Sequence, residues 1–202
     1  MIKPISLTDF VDFVVASGSP KLTVVRRVKR RGEYAPAADF WKKLREAIQQ
    51  MHAEGLDRSH LDGILTELTH QSKVKRYPPA VRAYKKFLGR KDIEWFQPPH
   101  CIWASSGLEV RVNPELGLIV NGENLAIKLY FKRAELTRRR VETALELMHT
   151  ALPPASSEAS NVAVLDVPKA KLFRHTSGKS DLGALLAGEA VAFATIWDML
   201  PE

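Results

Sequence analysis

The chain has 202 residues, 45% of them hydrophobic and 26% charged, with a mean hydropathy of −0.17. These values suit one folded unit with a continuous core and exclude a wholly disordered chain. Thirty Lys and Arg against 23 Asp and Glu give a net charge of +7, which points to a polyanionic partner. Asp9 and Asp12 interrupt the apolar N-terminal stretch, and no apolar run reads as long enough to span a bilayer, so neither a secretory leader nor a membrane span is expected. A lone cysteine, Cys101, offers no internal disulfide, so a cytoplasmic setting is expected.

In chain order, Ser6 or Thr8 caps a short helix carrying Phe10, Phe13 and Val14, stopped at Gly18. Ser19-Pro20 opens a second helix that Gly32 ends, although Val24, Val25 and Val28 would also suit a strand. Phe40, Leu44, Ile48 and Met51 form a helical stripe over about 37–53, with Trp41 beside it. Asp57 caps a helix bearing Leu61, Ile64, Leu65 and Leu68. Pro78-Pro79 opens the next, with Val81, Tyr84 and Leu88 inside and Gly89 closing it.

The period then changes. Leu108, Val110 and Val112 alternate with Glu109, Arg111 and Asn113, as in a half-buried strand. Asn121-Gly122 marks a hairpin between GLIV and NLAIKLYFK. These segments read as a three-strand antiparallel meander, with a further short strand at 101–105. Thr137 caps a long helix with Val141, Ala144, Leu145, Met148 and Leu152 inside, and a Ser/Ala-rich loop follows Pro153-Pro154. Residues 163–167 and 170–174 suit strands, and Asp181 caps a final apolar helix. The expected fold is α+β, with a helical region over 1–91 and a mixed sheet packed with helices over 92–202, the two forming one compact unit.

The positive charge is clustered. Residues 21–31 hold six bases and no acid, 73–91 hold eight and no acid, and 128–140 hold six with one acid, Glu135. Within the second window Arg82, Lys85 and Lys86 share one helix face at i, i+3 and i+4, preceded by Lys73, Lys75 and Arg76 and followed by Arg90 and Lys91. Like charges at that spacing repel, so the face is either a solvated surface or a phosphate-backbone contact. The preceding helix and the QSKVKRY connection could form a helix-turn-helix. Arg138, Arg139 and Arg140 fall in the first turn of a predicted helix, where the macrodipole favours acids. A bound phosphate would remove that conflict, and so would a later helix start.

Pro114-Glu115, a ten-residue spacer and Ala126-Ile127-Lys128 lie within an order of helix, three strands, helix and strand. Over residues 78–167 this pattern resembles the PD-(D/E)XK nuclease-like superfamily. The resemblance implies that Glu115 holds a divalent metal and that Lys128 positions the attacking water. Ala126 departs from it, standing where the family has a second metal-binding acid. Glu123, Glu109 or Glu142 would have to substitute, and otherwise the scaffold is degenerate and needs no magnesium. The histidines show no metal-ligand spacing, and Cys101 reads as core. Trp95-Phe96 reads as a loop pair, a surface for base stacking or a hydrophobic plug.

The leading expectation is a protein that binds DNA or RNA through phosphates, using Lys73, Lys75, Arg76, Arg82, Lys85, Lys86, Arg90, Lys91 and Arg138 to Arg140. The alternatives are a metal-dependent nuclease built on Glu115 and Lys128, and an interaction module for an acidic protein partner or a second copy of the chain.

Overall fold

A computed structural model describes residues 2–31, 39–132, 135–152, 161–176 and 181–201. The predicted Gly32 stop, the start of the 37–53 stripe and the Ser/Ala-rich loop lie outside them. The fold is α+β, as the sequence indicates: seven helices and eight strands among the described residues.

The chain opens with strand β1 (Ile5–Ser6) and helix α1 (Leu7–Val15), whose N-cap is Ser6, its hydroxyl accepting from the Asp9 amide. Helix α1 ends at Val15, and Gly18, at φ 61°, instead forms the N-cap of α2 (Ser19–Lys29). A left-handed φ there is cheap only for glycine. Helices α3 (Lys42–Ala53), α4 (His60–Thr66) and α5 (Gln71–Leu88) follow.

Helix α5 corrects the expectation that Pro78-Pro79 starts it, because the helix runs through both prolines from Gln71. The amides of Lys73 and Val74 bond to the His70 carbonyl, and buried Tyr77 donates its hydroxyl to the Phe40 carbonyl at 2.6 Å. Tertiary anchoring of this early turn outweighs the two amides that the prolines lack. QSKVKRY therefore lies inside α5, and the connection between α4 and α5 is the four residues 67–70 instead.

The strands form two sheets. β2 (Ile93–Phe96), β5 (Leu116–Val120), β6 (Glu123–Tyr130), β7 (Asn161–Asp166) and β8 (Lys171–Arg174) form a five-stranded sheet in that order. β6 and β7 run parallel, joined by the crossover helix α6 (Arg138–Ala151), and the other pairs are antiparallel. β1, β4 (Leu108–Val112) and β3 (Cys101–Ser105) form a second sheet, with β4 central.

The expected 108–130 meander is thus broken: β4 leaves for the second sheet, and β2, the segment read as a Trp95-Phe96 loop, takes its place beside β5. Gly117 makes this possible. A Cβ at that position would sit 2.3 Å from the Phe96 carbonyl oxygen, so only glycine admits β2 this closely. The Asn121-Gly122 hairpin is as expected, both residues having positive φ (50° and 82°), the signature of a type I′ turn.

Alternation along β6 faces two cores. Leu125, Ile127 and Leu129 join α3, α4 and α5 on one side of the five-stranded sheet. Ala126 joins α1, α2, α6, the second sheet and the last helix, α7 (Leu182–Met199), on the other. Residues on both sides of position 91 contribute to each core.

By length and hydropathy, 1.4 over 18 residues, α7 could cross a membrane, which corrects the expectation that no run is long enough. Here Leu186, Ala190 and Phe193 are buried in the first core, and Glu189, nearly buried, pairs with Lys21.

Candidate nucleic-acid interface

Two carboxylates, buried Asp9 and partly buried Asp12, organise the first and third basic windows. Asp9 receives both guanidinium arms of Arg31 at 2.8 Å, Arg27 at 3.2 Å and the Ser6 hydroxyl at 2.6 Å. Burial alone would push its carboxyl up, but these hydrogen bonds and the charges of Arg31 and Arg27 outweigh burial and hold it below the ordinary range. Asp12 pairs with Lys132 at 2.7 Å, Arg27 at 3.2 Å and Arg140. Burial opposes its ionisation too, and Lys132 and Arg140 reverse that effect. Lys29 donates to the Trp197 and Leu200 carbonyls at the end of α7, at 2.8 and 2.7 Å. Within the 21–31 window Lys21, Arg27, Lys29 and Arg31 tie α2 and the residues after it to α1 and α7, while exposed Arg26 and Arg30 have no partner among the described residues.

The arginine triplet is engaged in the same way. Arg138 pairs with Glu142 at 2.6 Å, Arg139 donates to the Val14 carbonyl at 3.1 Å, and Arg140 meets Asp12. The helix does start at Arg138, with Thr137 as its N-cap, so the conflict with the macrodipole is real. Protein acids and a carbonyl offset it, and no phosphate is required.

The second window keeps its charge. Lys85 is turned toward Asp62 at 2.6 Å, and Lys91 folds back onto the Phe87 ring and carbonyl. Lys75, Arg82, Lys86 and Arg90 are exposed and have no hydrogen-bond or ion-pair partner among the described residues. Lys75, Arg82 and Lys86, with exposed Pro79, fall at i, i+7, i+11 and i+4, one line along α5 spanning roughly 16 Å at 1.5 Å per residue. The stripe thus runs through Lys75 rather than Lys85, the residue the sequence reading placed on it.

At its N-terminal end the stripe meets a cavity of about 650 Å³ lined by Phe40, Trp41, Lys75, Arg76, Pro79, Ala80, Phe131, Lys132 and Pro168. Trp41 stacks near-parallel to Phe131 at 5.0 Å and to Tyr77 at 5.3 Å. Lys73 and Arg76 lie over the Phe40 ring at 5.9 and 5.7 Å. Phe40 and the Phe131-Lys132 pair escape a sequence reading because they come from two segments distant from each other and from α5. The adjacent pairs Phe40-Trp41 and Phe131-Lys132 were the available signal.

Glu115 and Lys128 do converge. Lys128 Nζ lies 2.5 Å from Glu115 Oε1 and 3.1 Å from the Asn113 carbonyl, and Glu115 Oε2 accepts from the Leu129 amide at 2.7 Å. Ala126 is fully buried in the first core. Of the three possible substitutes, Glu123 pairs with Arg174, Glu142 pairs with Arg138, and Glu109 stands exposed on β4 of the other sheet. No cluster of three metal-ligating side chains occurs among the described residues. With both Glu115 oxygens already accepting and no cluster of three ligating side chains among the described residues, this donor set fits a divalent ion poorly.

Trp95, on β2, stacks on His52, and Phe96 beside it is buried. No protein-family model matches the chain, and no curated protein is detectably similar to it.

Proposed function

We propose that the protein binds nucleic acid through its phosphate backbone, along the α5 stripe and the basic rim of the adjoining cavity. One observation carries this reading. Lys75, Arg82 and Lys86 line up with no intramolecular partner among the described residues, and they run into a rim where the second window, through Lys75 and Arg76, meets the third, through Lys132. Elsewhere the fold holds Lys21, Arg27, Arg31, Lys132, Arg138 and Arg140 with Asp9, Asp12, Glu142 and Glu189, while exposed Arg26 and Arg30 are, like the stripe, without a partner among the described residues. Here it leaves like charges adjacent, a cost that a polyanion would offset.

Fluorescence anisotropy with 20-nucleotide single strands and duplexes tests it. Binding should appear at low salt and weaken linearly in log–log form as salt rises. The Arg82→Glu/Lys86→Glu variant should lose at least tenfold in affinity and melt like the wild type, because Val81, Tyr84 and Leu88 remain in the core. Absence of binding at low salt to several DNA and RNA lengths would overturn the reading.

The pairing of Glu115 with Lys128 favours a second reading, a nuclease-like scaffold. Its support is the order α5, then the antiparallel trio β2, β5 and β6, then α6 and parallel β7. The donor set argues against magnesium-dependent cleavage. Cleavage abolished by both Glu115→Ala and Lys128→Ala would make this reading the leading one.

A further inference from the structure

We propose that the aromatic cavity beside α5 takes one unpaired base of a single strand, so that the protein prefers single-stranded nucleic acid to duplex; this rests on the nucleic-acid reading above. The cavity falls within the range of small-ligand sites, about 300–1,000 Å³. Its walls are planar and apolar: Phe40 and Trp41 ahead of α3, Phe131 just beyond β6, and Pro79 and Pro168. Among the described residues its charged groups are all positive: Lys75 and Arg76 on α5, and Lys132, the last still paired with Asp12.

An apolar, aromatic-lined cavity with a cationic rim fits an apolar group carrying an anion. In a nucleic acid that group is a nucleotide, its base against the rings and its phosphate at the rim. The stripe of Lys75, Arg82 and Lys86 then continues from the mouth, where neighbouring phosphates of the same strand would lie. A duplex would first have to extrude a base at the cost of unstacking, whereas a single strand already offers one. The sequence alone separated neither case.

Three labelled 12-mers distinguish the possibilities on the full-length chain: oligo(dT), an abasic strand of the same length, and a duplex. Oligo(dT) should bind roughly tenfold tighter than the abasic strand, the weight of one stacked base, and tighter than the duplex. Ala80→Leu, which fills the cavity without touching a charge, should bring oligo(dT) down to the abasic level. Arg82→Glu/Lys86→Glu should weaken oligo(dT) and abasic strands by similar factors. Equal binding of oligo(dT) and abasic strands by the wild type overturns the inference alone and needs no variant to fold. So does a folded Ala80→Leu that keeps the base preference. No binding of any strand at low salt removes the functional reading and this inference together.

Discussion

Asp9 and Asp12 determine how much of the +7 charge is available to a partner. Between them they hold Arg27, Arg31, Lys132 and Arg140. Counting charges along the sequence showed three basic windows but not which of them already had acids to face, because Asp9 and Asp12 lie up to 128 residues from their partners. Asp12 competes with any anion for Lys132, so Asp12→Asn should bind oligonucleotides more tightly, roughly two- to tenfold, with a steeper salt slope because the freed Lys132 neutralises a further phosphate. Anisotropy titrations at two salt concentrations measure both. Asp9 holds Arg27 and Arg31, neither of which lines the cavity or the α5 stripe. Asp9→Ala should leave binding unchanged and destabilise the fold by about 1–3 kcal/mol, the loss of charged hydrogen bonds whose Arg27 and Arg31 donors remain half in water. Urea denaturation checks it. At Glu115 and Lys128 the sequence did foretell a meeting. What it could not show is that the Leu129 amide takes the oxygen a metal would need.

Elements were legible wherever apolar periodicity and caps agreed, as in α1, α6 and the β5–β6 hairpin. They were misread where tertiary contacts override local signals. Pro78-Pro79 looks like a helix start, but Tyr77, stacked on Trp41, holds the preceding turn helical. Alternation identified β4 as a strand, yet period two says nothing about which neighbour a strand chooses. Here the choice rests on Gly117, whose missing side chain admits Phe96 of β2. Gly117→Ala should therefore lower stability by several kcal/mol, since backbone rather than a flexible side chain opposes the added Cβ. A thermal melt shifted by less than a few degrees would contradict this account of the sheet order. At the C-terminus, the buried Leu186, Ala190 and Phe193 and the bonds from Lys21 and Lys29 make α7 part of the first core. A chain ending at residue 180 should lose its cooperative melt or aggregate. A soluble, cooperatively melting truncation would make α7 an independent element.

At the scale of the whole molecule, the two cores share one sheet, so ionisation in either core bears on the stability of both. On the α3–α5 side, His52 hydrogen-bonds the Tyr84 hydroxyl at 2.7 Å and stacks on Trp95. Burial, and then the nearby Arg58 charge, push its imidazole down to about 4. Burial pushes the Tyr84 phenol up, so its hydroxyl keeps its proton throughout. On the α1–α6 side, Asp9 and Asp12 also sit below their ordinary values. All three shifts have the same sign. A group whose folded value lies below its unfolded one takes up protons more readily when unfolded, so its contribution is complete above the unfolded value and is lost as pH falls toward the folded one. For His52 the window runs from about 6.5 down to about 4. It is worth up to roughly 3 kcal/mol at 1.36 kcal/mol per tenfold change in proton concentration. For Asp9 and Asp12 the loss begins only below 3.8. Acid should therefore weaken the fold in two stages. Urea midpoints should decline between pH 7 and 4.5, and a second, steeper drop should follow in stronger acid. His52→Gln should flatten the first stage and leave the second in place, whatever it does to stability at neutral pH. An unchanged decline between pH 7 and 4.5 in that variant would show that His52 is not the group responsible.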